Sequence, residues 1–275
     1  MKEDIIRTIN QFRHSEKLDL IKEELLLVNS SEISEHKDII LVVKDQLKLL
    51  QNCINSIYDN TENFTLYIWD NASRPDTKKY LESLLTKGNV ILRTSQENIG
   101  FMPPNNRMAE LTKAPYIILL NIDTEVRKNW DKLMIAWLKT HPKTLQVGYG
   151  GCCLNEDFKG GLVGFGDEID YLSGWGFCIS RETYNQFGIF DEANLQFGYC
   201  EDADLSLRIR EAGFEIYALH ADLITHYENS VFKEVNKDDK FRQWFAQIFE
   251  KNHEYMRNKW KGKGMTILER KSFAE

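Results

Sequence analysis

The sequence predicts an α/β protein: a mostly parallel, doubly wound sheet with helices on both faces and a helical extension at each end. Three observations predict it. From Asp38 to Leu120, short apolar runs alternate with helical patterns in a βαβαβαβ order. The runs Ile39 to Val43 and Tyr116 to Leu120 are continuous rather than alternating, as in strands covered on both faces. Outside this region, residues 1 to about 35 and the tail from about Phe232 carry apolar residues at helical spacing.

Each element follows in order. Ile5, Ile6, Ile9 and Phe12 make one helical stripe, and Leu18, Ile21, Leu25 and Val28 another, before Asn29-Ser30-Ser31 interrupts. This extension reads either as a docking or dimerisation element, which makes a homo-oligomer, or as a helical pair packed on its own domain. Ile39 to Val43 is a buried strand, and Leu47, Leu50, Ile54 and Ile57 form a helix face. Phe64 to Trp69 is a strand, Pro75 to Leu85 a helix, and Val90 to Arg93 a strand. A helix from about Asn105 to Thr112 precedes the strand Tyr116 to Leu120. Val147 to Gly176 is rich in glycine and aromatics, poor in helix signals, and too long for an ordinary connection, which predicts a functional loop region. Arg181 to Phe187 is a short helix. Glu201, Asp202 and Asp204 open another, with Leu205, Ile209 and Ala212 at one-turn spacing and Gly213 placed to stop it. Phe214 to Leu219 and Leu223 to His226 read as strands. In the tail, Phe241, Trp244, Phe245, Ile248 and Phe249 form a heavy apolar stripe.

At 275 residues the chain is long enough for one large α/β domain with extensions, or two small ones. No apolar run approaches the ~20 residues of a membrane span. Met1-Lys2-Glu3-Asp4 lacks the basic-then-apolar order of a signal peptide. The five cysteines are odd in number, lack zinc-type spacing and include a vicinal pair, which suits a reducing compartment. Together these predict a cytoplasmic protein. A formal charge of −7 argues against a nucleic-acid partner. From Lys251 to Lys271 there are seven Lys or Arg against two Glu. That excess reads either as a solvated tail or as peripheral contact with the inner face of an anionic membrane.

Sheets of this kind bind ligands beyond the carboxyl ends of their strands. The residues that matter are therefore Lys44-Asp45, Asp70-Asn71, Thr94 to Gly100 and Asn121-Ile122-Asp123. Asp70 ends a buried strand, where a carboxylate can accept from a nucleobase imide or a ribose, or cap the next helix. Asn98-Ile99-Gly100 precedes a helix whose N-terminus suits phosphate; alone it is a tight turn. Asn121-Ile122-Asp123-Thr124-Glu125 sets polar oxygens directly after a very apolar strand. Mg2+ or Mn2+ prefers such oxygens and shares them with a substrate diphosphate. Asp123 is the best single metal-ligand candidate. Glu125 either helps or caps the helix near Asn129. His226 follows a strand and can complete a Mn2+ site or be structural. Acids in a first helical turn are favoured by the dipole in their ionised form, and one at a helix mouth can act as a general base; capping is the plain alternative.

Taken in order, Asp38 to Ser56, Trp69-Asp70-Asn71-Ala72-Ser73, Glu97-Asn98-Ile99-Gly100-Phe101 with Asn105-Asn106, Leu120-Asn121-Ile122-Asp123-Thr124-Glu125 and Tyr199-Cys200-Glu201-Asp202-Ala203-Asp204-Leu205 resemble the inverting family 2 glycosyltransferases of the GT-A fold, in particular their bacterial rhamnosyltransferase-like branch. Ser173 to Arg181, Gly188-Ile189-Phe190-Asp191-Glu192 and His226 with Ser230 add to the match. The resemblance implies metal-dependent transfer of one sugar from a UDP- or dTDP-sugar to a glycan, lipid-linked or protein acceptor, in polysaccharide-type biosynthesis. It implies Val43, Asp45, Asp70, Asn98 and Gly100 on the donor side, Asn121 facing the ribose, and Asp123 on the metal, Mn2+ or Mg2+, with His226 as a further ligand. Asp202 matches the family's general base, and Gly174, Trp175 and Glu201 the acceptor side. The divisions implied are an N-terminal helical extension over 1–36, a catalytic domain over 37–230 with donor (37–125) and acceptor (126–230) halves, and a C-terminal helical extension over 231–275.

Three departures stand out. Lys44-Asp45 replaces the usual Tyr-Asn, Met102-Pro103-Pro104 replaces small residues in a loop against the nucleotide, and Asn121 removes one charge from the metal motif. Two other classes compete: a sugar nucleotidyltransferase, whose Gly-rich loop residues 39 to 50 lack, and an inactive GT-A domain acting as a binding subunit, against which Asp123 and Asp202 both stand.

Overall fold

In the computed structural model, which describes residues 17–28, 34–155, 158, 160–227, 239–261 and 263, the chain's first strand sets the frame. β1 (Lys37–Val43) is buried at every position but Val42. A strand so apolar on both faces belongs at the centre of a sheet, and β1 lies there, parallel to β2 (Phe64–Asn71) on one side and to β4 (Tyr116–Leu120) on the other. β3 (Val90–Ser95) extends the sheet beyond β2. The crossovers are α2 (Leu47–Asn60), α3 (Pro75–Leu84) and α4 (Met102–Leu111).

The second half of the sheet departs from simple winding. β10 (Gly176–Ser180) is wedged antiparallel between β4 and β6 (Thr144–Gly148), and β11 (Glu215–Ala218) closes the edge parallel to β6. The seven-stranded order is β11-β6-β10-β4-β1-β2-β3. A separate ribbon pairs β5 (Thr124–Val126) with β12 (Ile224–His226). The glycine-rich region contains β7 (Gly151–Leu154), β8 (Gly160–Gly164) and β9 (Tyr171–Leu172), a small three-stranded sheet, so part of it is regular structure.

Side-chain alternation splits the core. Ile39, Leu41 and Val43 pack with Leu50, Ile54 and α5 (Trp130–Thr140) on one face, whereas Ile40 packs with Phe177 and with Leu205 and Ile209 of α7 (Glu201–Glu211) on the other. α6 (Arg181–Phe187) is capped by Ser180, whose Oγ accepts from the Thr183 N–H at 3.1 Å.

The flanking helices pack on this body. α1, residues 17–28, lays Ile21, Leu25 and Val28 against the first core and sinks Glu24, 1% exposed, into the turn after β11. α8 (Asp239–Trp260) packs on α7: the buried Asp204 carboxylate takes Lys259 Nζ at 2.7 Å and Trp260 Nε1 at 3.1 Å. Residues 1–16 and most of the tail beyond 261 lie outside the described residues, as does much of the sequence expected to touch a membrane. Of its basic residues, Lys259 pairs with Asp204 and Asp191, and Lys263 with Glu211. Among the described residues no helix is long and apolar enough to cross a membrane, and the five cysteines are free thiols.

One local expectation is corrected. Met102-Pro103-Pro104 is the first turn of α4, not a stiff loop before it. Proline is well placed there, because a first-turn N–H has no helical partner to lose.

Candidate active site

A cavity of about 610 Å3 opens beyond the carboxyl ends of β1, β2 and β4. Its first wall is the loop that ends in Asn98-Ile99-Gly100. Asn71, the last residue of β2, staples that loop: its Nδ2 donates to Asn98 Oδ1 at 2.9 Å and to the Gly100 carbonyl at 2.7 Å, and its Oδ1 accepts from the Ile99 N–H at 2.9 Å. Gly100 has φ +88°, and a Cβ there would lie 2.6 Å from the Phe197 carbonyl oxygen. Only glycine permits that approach, which lets the Phe101 N–H donate to Phe197 O.

Parity decides which strand-end residues reach the cavity. Val42, Lys44 and Asn71 line it; the expected Val43, Asp45 and Asp70 do not. Val43 points into the opposite core, as the period of two requires. Asp45 accepts from the Arg74 N–H at 2.6 Å and ion-pairs with Lys44 and Arg74. Asp70 is 1% exposed; its Oδ1 accepts from the Ser73 N–H at 2.9 Å, while its Oδ2 is buried with no protein partner.

The floor carries Asn121, Asp123 and His226. β12 runs antiparallel to β5 with His226 opposite Thr124, which brings His226 Nε2 to 3.4 Å from Asp123 Oδ1. Trp175 fixes the imidazole by stacking on it, ring centroids 4.8 Å apart and 13° from parallel. A Cβ on Gly150 would lie 2.5 Å from the Trp175 indole nitrogen, so glycine makes room for that ring. The Trp175 carbonyl in turn accepts from the Asn121 N–H at 2.9 Å.

This floor fits a hard divalent cation. Adjacent octahedral ligands at about 2.1 Å from an ion lie about 3 Å apart, close to the separation seen. Among the described residues no cluster of three or more His, Cys, Asp or Glu is assembled, so a cation here would have Asp123 and His226 as its acidic and imidazole donors and would draw its other ligands from elsewhere. Glu125 does not line the cavity; it accepts from Asn52 Nδ2 at 2.9 Å.

The far wall is the N-terminus of α7. Tyr199 and Cys200, both left-handed (φ 75° and 73°), turn the chain so that Glu201 and Asp202 open the helix at the cavity. Asp202 Oδ2 accepts from the Gly174 N–H at 2.9 Å and Oδ1 from the Ala203 N–H at 2.8 Å. Desolvation in the wall raises the Asp202 pKa, and the N–H groups of Gly174 and Ala203 oppose the rise. Glu201 is pushed up to about 8, first by burial and then by the Asp202 charge, and its Oε2 is buried without a partner. Burial and the like charge beside it favour the protonated form of Glu201, whereas backbone donors and the helix dipole favour the ionised form of Asp202. An ionised carboxylate at a cavity wall can take a proton from a bound hydroxyl.

A pH-dependent stability follows. Unfolded, Glu201 ionises near 4.5; folded, it keeps its proton up to about 8. The folded state binds the extra proton between these values, so stability falls as pH rises through that window. Glu201→Gln removes the loss. The Tm of this variant is expected to match wild type near pH 5 and to exceed it increasingly up to pH 8, by thermal unfolding in a pH series. An equal Tm difference at all pH values would sink the assignment.

The outer wall was not expected from sequence. Phe241, Phe245, Phe249 and His253, four residues apart on α8, line the cavity beside Phe197 and Tyr199. Asn252 ties the intervening loop to α8, its Nδ2 donating to the carbonyls of Gln196, Gly198 and Tyr199 at 2.9–3.1 Å. The four-residue spacing was readable; that this face meets a site was not. Phe101, part of the Glu97–Phe101 motif, also lines the cavity, as does Tyr171, which carried no distinguishing sequence signal.

The profile of glycosyl transferase family 2 matches residues 38–173, and that of glycosyltransferase like family 2 matches 164–246. Together they run from the start of β1 into α8. The chain belongs to glycosyl transferase family 2. No curated protein sequence matches this glycosyltransferase. Among solved structures it is similar to GalNAc-T7 crystallised with UDP, GalNAc and Mn2+ (TM-score 0.62, 16% identity, 70% of this chain and 43% of that one). It is also similar to the mannosyltransferase PcManGT from Pyrobaculum calidifontis, in complex with GDP-Man and Mn2+ (0.53, 13%, 79% and 66%). A third is S. aureus TarS 1-349 (0.54, 13%, 81% and 73%). The chain spans under half of GalNAc-T7 and about two thirds of PcManGT, and at such identities the likeness speaks for a shared GT-A fold.

Proposed function

We propose that this glycosyltransferase moves one sugar, with inversion, from a nucleotide-sugar donor to a hydroxyl of a saccharide-bearing acceptor, with a divalent metal. One observation carries the proposal: the Asp123–His226 pair and the Asp202 carboxylate line the same cavity. The base and ribose lie toward Lys44, Asn98, Gly100 and Asn121, as in a UDP- or dTDP-sugar. Asp123 and His226 hold the metal, Mn2+ or Mg2+. When bound, it neutralises charge on the departing diphosphate.

Asp202 takes the proton of the acceptor hydroxyl as the oxygen attacks the anomeric carbon. The carbon–oxygen bond to the diphosphate breaks as the new one forms, so a single displacement inverts the centre and needs no protein nucleophile. Gly174 aims the Asp202 carboxylate through its N–H, and Trp175 walls the sugar's side of the cavity. Glu201, neutral beside it, donates to or accepts from acceptor hydroxyls. The aromatic wall of α8 supports a glycan acceptor, free, lipid-linked or on protein, because sugar rings lay their C–H faces on aromatic rings. A cytoplasmic setting, at or near the inner membrane face, and a place in polysaccharide-type biosynthesis accord with this chemistry.

A thermal-shift screen of nucleotide sugars, each with and without Mn2+, tests the donor half. A UDP- or dTDP-sugar is expected to raise Tm only with Mn2+, by mass action on the folded state. No shift from any nucleotide sugar, or the same shift in EDTA, would overturn the proposed donor site.

A further inference from the structure

The ribbon that presents His226 is held from outside the family's domain. Among the described residues β5 and β12 pair only with each other, and a two-stranded ribbon of three residues a side is marginal alone. It needs support at the turn that leads into β12. Arg127 gives some: its N–H donates to the Leu223 carbonyl at 2.9 Å and its Nη2 to Thr225 Oγ1 at 2.9 Å. On the other side β5 is held by α2, where Ser56 Oγ accepts from the Val126 N–H at 3.0 Å and Asn60 Nδ2 donates to the Val126 carbonyl at 3.2 Å. The turn itself is also gripped by Glu24 on α1, about 200 residues away in sequence. Both Glu24 oxygens receive the His220 N–H, at 2.9 and 3.0 Å. Oε2 also accepts from the Ala221 N–H at 2.9 Å, and Oε1 lies 2.8 Å from His220 Nδ1 and 3.3 Å from the Tyr217 hydroxyl.

A carboxylate 1% exposed is tolerated only where donors surround it, and here the donors belong to one turn. Two backbone N–H groups of that turn have Glu24 as their partner. Five residues beyond Ala221 stands His226. Glu24 lies outside the residues matched by the family profiles, which begin at 38. We infer that Glu24 is a positioning residue: through the His220–Ala221 turn, the N-terminal helix holds β12 so that His226 stays beside Asp123 in a metal-binding arrangement. This rests on the proposed metal role of that pair. It gives the N-terminal extension a part in the site it does not touch.

The test uses the full chain. Mn2+ binding is measured by electron paramagnetic resonance titration of free Mn2+, with and without UDP, for wild type, Glu24→Gln and Glu24→Ala. Leu81→Ala, a buried truncation on α3, controls for lost stability alone. Glu24→Ala is expected to weaken Mn2+ binding about tenfold, the low end of what losing an outer-shell partner does. Glu24→Gln, whose amide oxygen still accepts from the turn, is expected to fall between, and it decides the matter if the alanine variant does not fold. Leu81→Ala should lower Tm with Mn2+ affinity unchanged. Glu24 variants that lose Tm yet bind Mn2+ as wild type does would overturn the positioning role and leave the metal reading intact. Wild type that binds no Mn2+ even with UDP would overturn both.

Discussion

Asp202→Asn is expected to lower kcat/KM for sugar transfer by about 10²- to 10⁴-fold, the usual contribution of a positioned general base. The amide matches the carboxylate in shape, and its oxygen can still accept from the Gly174 N–H that now lies 2.9 Å from Oδ2. It cannot take a proton. The loss should therefore appear in turnover, with Tm and Mn2+-dependent nucleotide binding close to wild type. Initial rates with a Mn2+-loaded donor and an acceptor panel, beside a thermal-shift titration, give both readouts. A variant with wild-type rates would remove Asp202 from the chemistry. A wild-type protein that binds donor yet transfers to no acceptor would favour the binding-subunit alternative.

Asp123→Ala should strike the other half. Among the described residues a carboxylate and an imidazole face the proposed cation site, so losing the carboxylate leaves the imidazole. Metal affinity is expected to fall more than about 100-fold, beyond the roughly 10- to 100-fold typical of outer-shell losses. The Mn2+-dependent thermal shift by nucleotide sugar should vanish, and activity should not return at any Mn2+ concentration the protein tolerates. Because Asp123 is 5% exposed at the cavity floor, a drop in Tm without metal is a separate effect, measured in EDTA. Retention of Mn2+-dependent donor binding would move the metal elsewhere.

The alternation of strand and helix was legible because each buried strand is a continuous apolar run. So was the cavity's position beyond the strand ends. What failed was parity. A motif marks where a strand stops, but whether Val42 or Val43 faces the ligand depends on which face of the sheet the ligand shares, and that is set by helices packed later. The acidic cluster shows the same limit. Asp202 and Asp204 are two residues, hence about 200°, apart on the helix. One faces the cavity, and the other is buried against Lys259, Trp260 and Arg208. No local feature of the sequence distinguishes them; the resemblance did. Glu24 and the aromatic face of α8 were illegible for a different reason: their partners lie far off in sequence, on surfaces that exist only after folding.

The antiparallel insertion of β10 has a mechanical consequence. β4 leaves the sheet at Leu120 directly opposite Gly176, where β10 enters, and Asn121 and Trp175 are joined by a backbone hydrogen bond. The segment carrying the metal motif and the segment carrying Gly174 thus depart from one seam of a single sheet, with no hinge between them. Many transferring enzymes bring their two substrates together by closing one lobe on another. Here the spacing between the Asn121–Asp123 segment and the Gly174 segment is set by strand pairing. That seam works as a fixed jig: moving one segment relative to the other would cost the backbone hydrogen bonds that join them.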